Sequence, residues 1–257
     1  LDGQGGDELF TGYTGYFPTF YRELIRNFDF RNLLNEIKSV KNSPIDLKTI
    51  IKMSIKSELA KHLKFSKLRD FLIKKIVYHV SLINSEFYRE FSYRVNDKQE
   101  KVVDSLNQHL YRLIVGDYLK TLLKYEDRNS MRFSIESRTP FADDINLIEY
   151  LFKIPSVYKI HNGYSKYILR QSMKGILPEQ IRNRADKIGF ATPEDKWIKT
   201  NKKFINEILS SSEILKKVSN TQKLLNDLEN DIIFKHSFTP WRFINLAIWY
   251  AIYFNKY

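Results

Sequence analysis

The stretch that decides the fold is Asp2-Gly3-Gln4-Gly5-Gly6-Asp7-Glu8-Leu9-Phe10, near the start of the chain. Five of the nine glycines in the sequence fall within the first 15 residues. Glycine lets the backbone adopt positive φ or approach a ligand closely, and acidic residues favour the first turn of a helix. The stretch therefore predicts a strand that ends near Leu1, then a glycine loop, then a helix that starts near Asp7.

The rest of the chain is rich in helical patterns. Its 257 residues suffice for one large domain or two small ones, and the hydrophobic content of 43% argues against disorder. Between Tyr16 and about Val115, apolar residues recur at spacings of three and four, which predicts amphipathic helices in a satellite bundle. The apolar tail from Thr239 to Tyr253 predicts a core helix. We expect a mainly helical fold, with short strands near Leu1 and near Ser134 to Glu136.

Several chemistries are excluded by composition. The absence of cysteine rules out disulfides, thiol nucleophiles, zinc ribbons and iron–sulfur clusters for these residues. The histidines are far apart, and no serine nucleophile motif or ordinary P-loop is present. No apolar run approaches the roughly 20 residues of a membrane helix, so we expect a cytoplasmic protein without membrane contact.

Two charged segments stand out, and each has two interpretations. The first has its charges on Glu126, Asp127, Arg128, Glu136, Arg138, Asp143 and Asp144. It is either an internal salt-bridge network or a site. The second, residues 159–203, holds 11 Lys/Arg against 4 Asp/Glu and thus +7 of the net charge of +12. It is either a solvated basic surface or a phosphate site, since lysine and arginine neutralise phosphate charge.

The glycine loop itself favours a magnesium–phosphate site over a dinucleotide site. The run Gly3-Gln4-Gly5-Gly6 lacks the third glycine of the dinucleotide fingerprint and is followed by Asp7. A carboxylate beside a phosphate group needs a cation between them, and Mg²⁺ is the usual one. A basic nucleic-acid-binding module is the alternative from another class, but the lysines follow no recognisable motif, so we expect no nucleic-acid partner.

Together these segments resemble one family, the glutamine-dependent asparagine synthetases of class B. The family pattern Ser/Asp-Gly-x-Gly-Gly/Ser-Asp-Glu-x-Phe-x-Gly-Tyr is matched from Asp2 to Tyr13, and Tyr-x-Asp-Arg-x-Ser-Met followed by Glu-x-Arg-x-Pro-Phe-x-Asp from Tyr125 to Asp143. The pattern that contains Lys-x-x-Leu-Arg and Lys-x-Gly-Phe is matched from Gly163 to Pro193, and Trp-Arg-x-x-Asn-Leu-x-x-Trp from Trp241 to Trp249.

The resemblance implies that residues 1–257 are the C-terminal portion of an α/β adenine-nucleotide α-hydrolase domain, the ATP-pyrophosphatase type. Its first parallel strands, its pyrophosphate loop and an N-terminal glutaminase domain are expected upstream of Leu1, and this portion alone is expected to be inactive. The family adenylates aspartate with ATP and Mg²⁺, releases pyrophosphate, and aminates the β-aspartyl-AMP with ammonia from glutamine. The resemblance is also compatible with a homodimer.

The resemblance also implies roles for individual residues. Asp2, Gly3 and Gly5 fall at nucleotide-binding positions, Asp7 at the magnesium position, and Lys187 at the position that faces the pyrophosphate. Glu126 and Asp143 fall in the segment that lines the acyl-acceptor side, and Arg138 is expected to pair with one of them.

Gln4 departs from the family pattern, which has a catalytic glutamate or aspartate at this position. An amide can hydrogen-bond but cannot take a proton from the attacking amine. Either Glu126 takes over this duty, or the protein is a paralogue that amidates or cyclises another carboxylate. Both alternatives stay open at this point.

Overall fold

The computed structural model describes residues 1–62, 78–97, 103, 105–186, 192–235 and 239–254. Their α-helices, in chain order, are α1 (Gly6–Phe10), α2 (Tyr16–Arg26), α3 (Phe30–Lys38), α4 (Leu47–His62), α5 (Tyr78–Ser81), α6 (Ser85–Asp97), α7 (Leu106–Val115), α8 (Asp117–Met131), α9 (Pro140–Asp143), α10 (Ile145–Lys153), α11 (Tyr167–Ser172), α12 (Glu179–Arg182), α13 (Glu194–Thr200), α14 (Lys202–Ser211), α15 (Glu213–Val218), α16 (Thr221–Glu229) and α17 (Thr239–Tyr253). Short 3₁₀ helices lie at Val40–Asn42, Ser156–Tyr158 and Ile233–Lys235. The prediction of a mainly helical chain is confirmed.

The chain divides into two compact units. Unit 1 combines Leu1–His62 with Lys101–Ile188, and unit 2 combines Leu63–Glu100 with Gly189–Tyr257. The predicted satellite bundle over Tyr16 to Val115 is therefore wrong. Helices α2, α3, α4 and α7 belong to unit 1, whereas α5 and α6 belong to unit 2. Three- and four-residue spacing shows which face of a helix is buried, but it carries no information about which partner covers that face.

Unit 1 is built around α2. Its buried face carries Tyr16, Phe17, Phe20, Tyr21 and Leu24, at the spacing that puts side chains on one side of a helix. This face packs against α3, α4 and α7. Burying a large apolar side chain contributes about 1.5–3 kcal/mol, so the aromatic face of α2 makes a large contribution to the stability of this unit.

A smaller core in unit 1 anchors the glycine loop. Leu9 and Phe10 of α1 are buried together with Leu151 of α10. Phe10 also meets Phe141 edge-on, with ring centroids 5.6 Å apart. The short helix α1 contacts α7, α9 and α11. These contacts hold a five-residue helix that would not be stable by itself.

Unit 2 is a helical assembly with its own core. Leu209, Leu215, Leu224 and Leu228 of α14, α15 and α16 are buried with Ile244 and Ala247 of α17. Helix α17 begins at Thr239, with Pro240 in its first turn. The prediction of a helix at the tail is confirmed, but only one of its faces lies in the core, since Trp241, Trp249 and Ile252 are exposed. No helix in the described part of the chain is long and apolar enough to cross a membrane.

The two predicted strands are not formed among the described residues. Near Leu1 and at 135–139 the backbone is irregular, and one hydrogen bond joins these stretches, from Asp2 N to Arg138 O at 2.8 Å. Ser134 has φ of 57°, which turns the chain at the end of α8 instead of extending it. A strand needs a ladder of hydrogen bonds with a neighbour, and a single bond does not make one.

Candidate active site

The glycine loop docks on the segment around Phe141. Gly5 has φ of 89°, a conformation that favours glycine, and its carbonyl accepts the N–H of Leu9 at 2.9 Å. A methyl group at Gly5 would lie 3.0 Å from Ala142 N and 3.1 Å from the carbonyl carbon of Phe141. The glycine is therefore needed both for its backbone angle and for the close approach of two backbone segments.

Residues 137–139 bring three of the predicted site residues together. The carbonyl of Arg138 accepts the N–H of Asp2. The Ser137 hydroxyl donates to Glu126 Oε1 at 3.2 Å, and the Thr139 hydroxyl donates to Asp143 Oδ2 at 3.1 Å. Asp2, Glu126 and Asp143 are thus attached to one short stretch of chain, although 141 positions separate the first from the last.

Gln4 lies on the turn between Asp2 and α1. Its N–H donates to Asp2 Oδ1 at 2.7 Å, and its side chain is half-buried. The carboxylate of Asp2 thus holds the loop in shape, while Gly3 is exposed with open space around its Cα. The Gln4 carboxamide can donate and accept hydrogen bonds at this position, but it cannot remove a proton.

Asp7 forms an ion pair with Lys166. Lys166 Nζ lies 2.5 Å from Asp7 Oδ1, and both side chains are partly exposed. The backbone of Lys166 is left-handed, with φ of 55°, and its N–H donates to the carbonyl of Phe10 at 2.9 Å. Lys166 is not among the residues for which the sequence predicts a role. The signal was present, since Lys166 is the lysine of the Lys-x-x-Leu-Arg pattern.

The adjacent acid, Glu8, is buried and structural. Its side chain is 1% exposed, and the Tyr13 hydroxyl donates to Glu8 Oε1 at 2.6 Å. Burial, followed by the hydrogen bond to Glu8, raises the pKa of Tyr13 well above its usual range, so the phenol stays a neutral donor. Asp7 and Glu8 therefore differ: Asp7 is partly exposed and pairs with Lys166, and Glu8 anchors the loop.

Arg138 does not pair as expected. Its guanidinium lies 3.0 Å from Glu136 Oε1, and both side chains are largely exposed. The predicted pairing with Glu126 or Asp143 is wrong, because those carboxylates accept hydroxyl hydrogen bonds instead. An exposed ion pair contributes about 0–1 kcal/mol. Most charges of the 126–144 segment lie on the surface, so they form no internal salt-bridge network.

Lys187 lies outside the described residues, so its role as the pyrophosphate lysine stays a prediction. Among the described residues, no group of three or more His, Asp or Glu side chains could hold a metal ion. Asp7 offers one carboxylate, which fits the mode in which Mg²⁺ is bound by one or two carboxylates plus the phosphates of a substrate.

A buried lysine, Lys159, contacts residues that adjoin the site. Lys159 is 1% exposed, and its Nζ donates to Asn107 Oδ1 at 2.6 Å and lies 5.2 Å from the centre of the Phe152 ring. Its carbonyl accepts the N–H of Tyr167 at 2.9 Å and the Thr11 hydroxyl at 3.2 Å. Burial lowers the pKa of Lys159 to about 8, and the negative charge of Glu23 opposes this shift.

From the lowered pKa of Lys159 we predict that the stability of the protein rises with pH. The folded pKa of about 8 lies below the ordinary lysine value of 10.5, so between these values the unfolded chain binds more protons. The cost of burying the ammonium is present below pH 8 and is relieved as the pH rises. We expect the free energy of unfolding to increase by about 2 kcal/mol between about pH 7.5 and 9.5, measured by urea titration.

The control for this prediction is Lys159→Met, which keeps the length of the side chain without the charge. The variant should lose the increase between these pH values and should be more stable than the wild type near neutral pH. Equal pH dependence in the two proteins would remove Lys159 as its source.

Comparison with known proteins connects these residues to a family. The family model described as "Asparagine synthase" matches residues 1–251. A relative from Bacillus subtilis, "Asparagine synthetase [glutamine-hydrolyzing] 1", is 26% identical over 273 aligned positions, which cover all of this chain and 40% of the relative. A second, "Asparagine synthetase [glutamine-hydrolyzing] 3" of the same organism, is 41% identical over 85 positions, 33% of this chain and 14% of that protein.

The chain covers only part of the relatives that it matches. It spans about two fifths of the length of the first of these relatives. No solved structure matches it significantly.

Proposed function

Since this chain belongs to the asparagine synthase family, we propose that the protein makes asparagine from aspartate in an ATP-dependent reaction. Aspartate is activated as β-aspartyl-AMP with release of pyrophosphate, and ammonia then displaces AMP. Glutamine is the proposed source of the ammonia, through a glutaminase domain elsewhere in the protein. The proposal places the reaction in the cytoplasm, where aspartate, glutamine and ATP are available.

The observation that carries this proposal is the convergence of two distant motifs in unit 1. The glycine loop, Asp2 to Glu8, is joined to residues 137–139 by the Asp2–Arg138 hydrogen bond and by the packing of Gly5 on Phe141. Both motifs carry acidic side chains, and Lys166 adds a cation next to Asp7. An adenylation site needs such a combination of open backbone, carboxylate and cation, because it must bind a polyphosphate.

We assign nucleotide binding to the loop. The backbone of Asp2, Gly3 and Gly5 is proposed to contact ATP, and the open space around Gly3 supports this role. Asp7 is the residue proposed to hold Mg²⁺, whose charge neutralises the polyphosphate when it is bound. Its partly exposed carboxylate supports this assignment, since Mg²⁺ in nucleotide sites takes few protein ligands.

The first step needs cationic side chains near the leaving group. A side-chain oxygen of aspartate attacks the α-phosphorus of ATP, and the bond to the bridging oxygen of pyrophosphate breaks. Lys166 and Lys187 are proposed to stabilise the negative charge that develops on the pyrophosphate. The ion pair with Asp7 supports Lys166 in this role, because it holds the ammonium beside the proposed phosphate-binding loop.

The second step needs a base for the attacking amine. The nitrogen of ammonia attacks the activated carboxyl carbon, the bond to the AMP oxygen breaks, and a proton must leave the nitrogen. Gln4 can orient the acyl group but cannot take this proton. We propose Glu126 as the base, because it is a half-buried carboxylate whose described partner is a neutral hydroxyl. Asp143 and Arg138 are proposed to line the acyl-acceptor side.

The test uses the full-length protein with Mg-ATP, glutamine and a panel of carboxylic acids. We expect AMP, pyrophosphate and asparagine in equal amounts with aspartate. AMP formation with a different acid, and none with aspartate, would overturn the substrate assignment and favour the paralogue implied by Gln4. If no acid of the panel produces AMP, the adenylation chemistry itself is wrong.

The role of Asp7 makes a narrower prediction. Asp7→Asn keeps the size of the side chain and removes its charge, so it should raise the Mg²⁺ concentration for half-maximal AMP formation by on the order of tenfold. Asp144→Asn is the control, since the Asp144 carboxylate caps α10 by accepting the N–H of Leu147, which asparagine can also do. Equal Mg²⁺ titrations for Asp7→Asn and the wild type would refute the role.

A further inference from the structure

Glu36 is a buried acid far in sequence from the candidate site. It lies on α3 and is 1% exposed. Within the described part of the chain, no lysine, arginine or histidine forms an ion pair with it. Its two oxygens accept backbone hydrogen bonds instead: the N–H of Asn162 donates to Oε1 at 2.7 Å, and the N–H of Gly163 donates to Oε2 at 2.9 Å.

The two donors are the central residues of a tight turn. His161 and Tyr164 exchange two backbone hydrogen bonds, each 3.0 Å long. Between them, Asn162 and Gly163 both have positive φ, of 51° and 78°, as in the type I′ turn that favours Asn-Gly. The N–H groups of both central residues face Glu36, so one carboxylate satisfies the outer side of the turn. Hydrogen bonds to a charged acceptor are stronger than those to a neutral one.

The turn packs closely against the residues that follow α3. A methyl group at Gly163 would overlap the carbonyl oxygen of Ser39 and would lie 3.1 Å from Ser43 N. The Asn42 side-chain amide also donates to the carbonyl of Asn162 at 3.2 Å. The turn therefore has little room to shift while Glu36 holds it.

This turn leads directly to Lys166. Two residues after Tyr164, the left-handed backbone of Lys166 is fixed by the hydrogen bond from its N–H to Phe10. The following N–H, of Tyr167, donates to the carbonyl of Lys159. A left-handed conformation is unfavourable for lysine, so it persists only where the surrounding structure enforces it. The turn forms part of that surrounding structure. By fixing the backbone of Lys166, this structure places the ammonium beside Asp7.

We propose that Glu36 is a positioning residue for the candidate site. Its carboxylate clamps the turn at residues 161–164 and thereby holds the ammonium of Lys166 against Asp7. The significance of this placement for phosphate binding rests on the proposed function, but the placement itself does not. The position of Lys166 can therefore be tested without any substrate.

The measurement is the reaction rate of each lysine with an amine-reactive acetylating reagent, followed by peptide mass spectrometry on the full-length protein. An amine held in an ion pair is less accessible to the reagent and reacts slowly. Glu36→Gln replaces one acceptor by an amide N–H₂, which cannot accept from the turn. We expect Lys166 to react on the order of tenfold faster in this variant, as for the loss of one hydrogen bond to a charged group. The exposed Lys38 and Lys41 should be unchanged.

Two controls separate positioning from general loss of structure. Asp29→Asn removes a carboxylate from the start of the same helix while keeping its capping bond to Asn32, so it should leave Lys166 as in the wild type. Buried Lys159 should remain unreactive in Glu36→Gln. A wild-type rate at Lys166 in folded Glu36→Gln would overturn the proposal. So would faster reaction of all lysines together, since that is the result expected of a purely structural role.

If Glu36→Gln does not fold, Glu36→Asp tests the same link more mildly, because it keeps the charge but shortens the side chain by one methylene group, so the carboxylate reaches the two turn N–H groups less well. A selective rise at Lys166 supports the proposal, and a wild-type rate contradicts it. Failure of the full-length protein to make AMP would count against the proposed function alone. An unchanged Lys166 rate in an active Glu36→Gln protein would count against the positioning role alone.

Discussion

Gly12→Ala is expected to lower the rate of aspartate adenylation by on the order of 10²-fold or more, with little effect on the fold. A methyl group at Gly12 would overlap Asp7 Oδ1 and would lie 2.7 Å from Lys166 Cε. The backbone of Gly12 does not itself require glycine, so the conflict is confined to these two side chains. Both are flexible at their ends, and they can separate to make room. The ion pair would then be lost while the core under the loop stays intact.

Gly15→Ala is the matched control, because Gly15 lies three residues further on, is exposed, and has nothing within 4 Å of an added methyl group. Its φ of −63° and ψ of −13° suit alanine. Release of pyrophosphate in single-turnover assays gives the adenylation rate for both variants. If Gly12→Ala adenylates as fast as Gly15→Ala, the Asp7–Lys166 pair has no part in the reaction.

Lys166→Met should also reduce the adenylation rate by on the order of 10²-fold, because it removes a cation that we place at the leaving pyrophosphate. Methionine preserves most of the length and the apolar stem of the side chain. The backbone of the variant should therefore keep its contact with Phe10. Rates from single-turnover pyrophosphate release, at saturating ATP, separate this effect from weaker nucleotide binding.

The comparison for this variant is Lys174→Met, which removes one positive charge from an exposed position of the same basic segment. It should behave as the wild type. Combined with Asp7→Asn, Lys166→Met should give less than the sum of the two separate effects, since the side chains in contact form one unit. A fully additive double variant would mean that the two residues act independently.

Much of the helical structure could be predicted from the sequence because the signals for it are local. The spacing of three and four residues between apolar side chains after Tyr16 predicts amphipathic helices, and the acids that follow the glycines mark the start of α1. The motif from Tyr125 to Asp143 also placed Glu126 and Asp143 in one segment. Their attachment to Ser137 and Thr139 agrees with that placement, although the function of these residues is still a prediction.

The parts that could not be predicted depend on residues distant in sequence or on the choice between equivalent partners. Asp7 and Lys166 are 159 positions apart, and no periodicity reports such a pair. Several acids are near Arg138 in sequence, and Glu136, two positions away, is the one that it contacts. The buried position of Glu36 was equally hidden, because its partners are backbone N–H groups of a turn, which leave no trace in side-chain pattern.

The division of the chain into two units, each built from two separate segments, has a consequence for synthesis of the protein. Unit 1 has all its residues once position 188 has emerged from the ribosome, but unit 2 needs the segment up to Tyr257. Domains generally fold as units during translation, N-terminal parts first. Unit 1 can therefore acquire its aromatic core and the described site residues while residues 63–100 still await their partner segment. During this interval Tyr78 and Leu82, which pack in the core of unit 2, lack the side chains that cover them, and a pause in translation after position 188 would prolong this exposure.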